Sequence, residues 1–100
     1  MNLIPTSLII ARWYEALGRL NCGTLHFVTP QGERMTFRAP NKGPEAEFAI
    51  KEWDVIRRMV ARGDIAMGED FIANKWTTDH IENLFQLFLL NLKELEGFAN

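Results

Sequence analysis

Glu69 directly follows Gly68, and an accessible carboxylate beside a glycine is a natural candidate for general acid–base work. That chemistry needs a nucleophile or a second titratable group within hydrogen-bond reach, and the sequence places none beside it. Glu69 therefore reads as a structural carboxylate, capping nearby amides or pairing with an arginine such as Arg57 or Arg58. His26 and His80 lie far apart, one in a strand pattern and one at a helix start, whereas a metal site needs convergent ligands. Both read as structural or exposed. Cys22 is the single cysteine, which excludes an internal disulfide and a cysteine-based zinc cluster and fits a reducing, cytosolic setting. Beside Gly23 at a helix end, it reads as inert rather than reactive. Arg57, Arg58 and Arg62 read as a solvated helix face, with contact to lipid phosphates as the alternative. The residues thus point to no catalytic set and no metal site.

The elements that carry these residues must fit into 100 positions, enough for one domain and one core. An apolar fraction of 47 % is ordinary for a globular chain and argues against wholesale disorder. A net charge of −2 lacks the basic surplus that a nucleic-acid binder uses to displace counterions, so no nucleic-acid partner is expected. The longest apolar runs, residues 8–11 and 87–90, are far short of the roughly 20 residues that span a bilayer. The first residues lack the basic region and cleavage site of a signal peptide.

A first helix is predicted from Thr6 or Ser7 to Leu20, capped by one of those hydroxyls after Pro5. Its core face carries Ile9, Trp13, Ala16, Leu17 and Leu20. Alternation then predicts strands over 24–29 and 33–39, joined through Pro30, Gln31 and Gly32 as a hairpin. Residues 40–44 read as a loop, and 45–50 as a third strand with Ala46, Phe48 and Ile50 inward. Trp53, Ile56, Met59 and Val60 mark a short helix that Gly63 closes, and Asp64 opens another to about Phe71. Asn74 is expected in a tight turn before Trp76, where a short strand fits. A long last helix runs from Thr78 or Asp79 to about Glu96, with Asp79 and Glu82 at capping-box spacing. Hairpin-linked strands flanked by helices predict an α+β domain: a small antiparallel or mixed sheet with helices on one face.

Residues 63–76 read Gly-Asp-Ile-Ala-Met-Gly-Glu-Asp-Phe-Ile-Ala-Asn-Lys-Trp. This resembles a segment near the N-terminus of bacterial cyclopropane-fatty-acyl-phospholipid synthases, roughly Gly-Asp-x-Gly-x-Gly-Glu-x-Tyr-x-x-Gly-x-Trp. Ala66, Phe71 and Asn74 depart from that pattern; asparagine is the next residue after glycine to tolerate a positive φ. Gly23-Thr24-Leu25 with Pro30-Gln31-Gly32, Pro44 through Phe48, and Thr78 through Ile81 follow in the same order as the family's hairpin, third strand and next helix. The resemblance spans roughly residues 17–95. It implies a sterol-carrier-like, lipid-associated α+β domain, and a chain cut from a longer protein with a downstream Rossmann-like methyltransferase. That missing domain would bind S-adenosylmethionine and transfer a carbon to an unsaturated phospholipid acyl chain. No Gly-rich cofactor loop follows a strand here, so residues 1–100 are expected to form its single non-catalytic N-terminal accessory domain, with no cofactor of its own. A free-standing carrier of apolar ligands is the alternative.

Expected partners are the protein's own methyltransferase domain, a second copy, and a phospholipid surface at the inner face of the membrane. Met67, Gly68, Glu69, Phe71, Ile72 and Trp76 are expected at a lipid pocket or interdomain edge, although the apolar members would also serve as ordinary core. Wound at 100° per residue, the last helix places Ile81, Leu84, Phe85, Phe88, Leu92 and Leu95 inward. Leu90 falls opposite and Leu87 between, which predicts a second, partner-facing side. The first helix carries a similar surplus in Leu3, Ile4, Ile10 and Tyr14, and Tyr14 is expected to face a partner.

Overall fold

The computed structural model describes residues 4–97, so Leu3 lies outside the described residues. Helix α1, Thr6–Gly18, presents Ile9, Trp13, Ala16 and Leu17 to the core, and Leu20 follows them inward, as the periodicity predicts. Neither Thr6 nor Ser7 caps it through a side chain; the Pro5 carbonyl accepts from the Leu8 and Ile9 amides instead.

The sheet has four strands, β1 (Cys22–Val28), β2 (Arg34–Arg38), β3 (Asn41–Ile50) and β4 (Trp76–Thr77), in the spatial order β2-β1-β3-β4. The fold is α+β and the sheet is mixed: β1 pairs antiparallel with β2 and parallel with β3, and β4 lies antiparallel on the far edge of β3. Parallel neighbours need a crossover connection. Here β2 itself carries the chain back to the start of β1, where Arg38 stands opposite Thr24. The chain then crosses beneath β1, the Ala39 amide donating to the Gly23 carbonyl and the Asn41 amide to the Asn21 carbonyl.

That crossing explains a difference from expectation. Residues 41–44 have loop composition, yet they belong to β3, in a stretch where its register against β1 shifts between Cys22 and Thr24. The irregularity absorbs Pro44 and brings two glycine backbones together: a Cβ on Gly43 would lie 2.7 Å from the Gly23 nitrogen.

Helices α2 (Asp54–Arg62) and α3 (Asp64–Ile72) meet at Gly63, whose φ of 62° and ψ of −138° suit glycine. Asn74 takes a positive φ of 62°, as its place in a turn before Trp76 predicts. The last helical segment is not continuous. It divides into α4 (Ile81–Leu90) and α5 (Leu92–Gly97) at Asn91, a fully buried polar residue. His80 caps α4 by accepting from the Asn83 amide. The Asp79 carboxylate, expected at that cap, instead accepts from the Glu47 amide on β3.

Leu25, Phe27, Ala46, Phe48 and Ile50 point from the sheet into one core with α1, α2, α3 and α4. Aromatic edges organise it: Trp13 meets Phe27 at 5.7 Å and Phe48 at 6.2 Å, and Trp76 meets Phe48 at 5.3 Å between ring centroids. On the other face of the sheet, cross-strand rows bring Arg34, Thr36 and Arg38 beside His26, Glu45 and Glu47.

Candidate functional site: an apolar cleft in the helical layer

The helix break at Gly63 opens the helical layer. The Gly63 amide donates to the Met59 carbonyl and closes α2; the Gly63 carbonyl accepts from Met67 and begins α3. A half-open cleft of about 610 Å³ lies there, within the size range of small-molecule sites. Met59 and Val60 come from the end of α2, Met67 from α3, Phe88 from α4, and Leu92 and Leu95 from α5. Trp13 of α1, buried between the sheet aromatics, completes the apolar lining; Gly63, Asp64 and Glu96 complete the rim. Flexible methionines and aliphatic side chains suit a conformationally mobile apolar group better than a rigid polar one.

Of the six residues expected at a pocket or interdomain edge, Met67 alone lines this cleft. Trp76 is in the core, its indole N–H donating to the Met67 carbonyl at 2.9 Å, so it supports the cleft wall from behind. Gly68, Glu69, Phe71 and Ile72 lie on the exposed side of α3, with Ile72 86 % exposed. Phe71 nevertheless rests on Trp76, with centroids 4.8 Å apart. Glu69 pairs with Arg62 at 2.8 Å rather than with Arg57 or Arg58.

The expectation for the partner-facing residues is corrected at Leu87. Leu87 is fully buried against the bare Cα of Gly23, where a Cβ would lie 2.2 Å from its Cδ1. Tyr14 is half-buried and packs against Phe27, Phe37 and Trp53, and loss of water around it pushes its hydroxyl above the ordinary value of 10.0. Leu90 is 54 % exposed and faces outward as expected, with Leu89 beside it. Ile81, Phe85 and Leu92, expected in the core stripe, are also exposed.

Asn91 causes this rotation. Its Oδ1 accepts from the Asn21 and Cys22 amides at 2.8 and 3.2 Å, and its Nδ2 donates to the Cys22 and Leu87 carbonyls at 2.9 and 2.8 Å. Docked on the start of β1, it turns Leu87 inward beside Leu84 and ends α4 early. The signal was an asparagine inside an apolar helical run, where a buried amide must find partners.

The arginines are engaged internally. Arg58 bridges Asp70 at 2.9 Å and Glu52 at 2.8 Å, joining α2 to α3, and Lys75 reaches the same Glu52 at 3.2 Å. Arg57 contacts Asp54 and donates to Thr6. These pairings, with that of Arg62 and Glu69, engage all three arginines with the protein's own carboxylates.

On the open sheet face, His26 lies between the Thr36 hydroxyl at 2.8 Å and Glu45 at 2.5 Å. Hydroxyl, imidazole and carboxylate stand in the order of a nucleophilic relay, but neither His26 nor Thr36 lines the cleft, and the contacts tie β1 to both neighbours. The hydrogen bond from His26 lowers the Glu45 carboxyl below its ordinary value. Among the described residues no group of three or more histidine, cysteine or acidic side chains could hold a metal ion, and no helix is long and apolar enough to cross a membrane. Comparison with family models, curated proteins and solved structures finds no match for the chain.

Proposed function

We propose that this domain is the non-catalytic N-terminal module of a lipid methyltransferase of the cyclopropane-fatty-acyl-phospholipid synthase kind, and that its cleft accepts an acyl chain. The observation that carries the reading is the coincidence of motif and cleft. The segment that resembles the synthase family, residues 63–76, contributes Gly63, Asp64 and Met67 to the lining and Trp76 to its support. Among the described residues the cleft is apolar apart from Asp64 and Glu96. Its role is to hold or hand over the chain, while a neighbouring domain with S-adenosylmethionine performs the transfer. The exposed Ile65, Ile72, Leu89 and Leu90 supply apolar surface on which that domain or a second copy docks, at the cytoplasmic membrane surface.

The reading is tested in the protein that contains both domains. Leu92→Trp occludes the cleft from an exposed position, and transfer to phospholipid vesicles should fall while S-adenosylmethionine binding stays unchanged. Unchanged transfer, or a reading frame with no methyltransferase sequence attached, would overturn it. The cleft also favours a second reading, a free-standing carrier, which predicts lipid retained through purification of this domain alone.

A further inference from the structure

Among the described residues, the ionisable ones at the cleft are Asp64 and Glu96, both acidic and both solvent-exposed, and no lysine, arginine or histidine lines it. No ion pair among the described residues engages either carboxylate. The nearby Arg62 is held by Glu69. An amphiphile whose chain enters between Met59, Met67 and Leu95 therefore brings its head to a negative rim. We propose that the cleft selects amphiphiles with a positively charged ammonium head over anionic ones such as free fatty acids. This rests on the acyl-chain reading above and adds the head-group class. Asp64 also opens α3, where a carboxylate favours the helix start, but that role does not call for Glu96, which reaches the cleft from α5.

The test is calorimetric titration of the domain with decyltrimethylammonium, decyl maltoside and decyl sulfate, each below its micelle concentration. Two exposed carboxylates should favour the cationic probe over the anionic one by about tenfold at low salt, with the neutral probe between. In D64N/E96Q the preference should collapse to about the neutral affinity, which itself stays put and reports that the variant is folded. Added salt should weaken the preference in the native protein. Equal or tighter binding of decyl sulfate overturns the head-group inference and leaves the acyl cleft standing. Binding of none of the three overturns both.

Discussion

Asn91 and Gly23 together determine how the last helices sit on the sheet. Asn91 satisfies two amides and two carbonyls from a fully buried position. Removing it strands groups that each cost about 1–3 kcal/mol when buried without a partner. Asn91→Ala should therefore destabilise the fold by about 2–4 kcal/mol, read from the urea midpoint at unchanged slope. Gly23 has a φ of 90°, and a Cβ there would lie 2.6 Å from the Pro44 carbonyl oxygen as well as against Leu87. Gly23→Ala should cost about 2–4 kcal/mol, combining backbone strain with overpacking. Gly32 also has a positive φ but nothing within 4 Å, so Gly32→Ala should cost less, about 1 kcal/mol.

At the scale of elements, the α2–α3 corner is held by Arg58, Glu52, Asp70 and Lys75. Asp70 is the buried member, and Asp70→Ala should destabilise by about 1–3 kcal/mol because it leaves a half-buried guanidinium short of an acceptor. Hydrogen bonds from Arg58 and Lys75 hold the Glu52 carboxyl below its ordinary value of 4.5. A lowered folded-state value means that the unfolded chain binds more protons in that range. The contribution of Glu52 is thus complete above about pH 4.5 and is lost as pH falls through the lower folded value. Denaturation midpoints of the native protein and Glu52→Gln should therefore differ at pH 7 and converge in stronger acid; a gap that widens in acid would contradict this.

The elements also divide by how far their sequence carries the structure. The α1 stripe, the hairpin, the inward residues of β3, the Gly63 break and the Asn74 turn were legible, because each depends on local periodicity or on one residue's backbone preference. The parallel placement of β3 was not: alternation fixes which face a residue takes, not which edge its strand joins. The last helix misled for a different reason. A 100° wheel assumes one unbroken phase, and Asn91 both breaks the helix and selects the buried side by bonding to a strand some 70 residues away in sequence. The cleft was legible only through Met67, since its other walls come from four helices whose convergence no local pattern encodes.

For the molecule as a whole, the proposed role turns on the apolar cleft in the helical layer that packs on the mixed sheet. If the opening takes acyl chains, each added methylene should tighten binding by about fourfold, the equivalent of 0.8 kcal/mol per buried CH₂, until the cleft is filled. A flat dependence on chain length would signal surface adsorption. The most direct measurement uses the methionines. Met59 and Met67 line the cleft, whereas Met35 lies in the β2 hairpin strand away from it. With methyl-¹³C methionine, titration with decyl maltoside below its micelle concentration should shift the Met59 and Met67 resonances saturably and leave Met35 in place. Unmoved Met59 and Met67 signals, or shifts shared equally by Met35, would contradict an acyl-binding cleft.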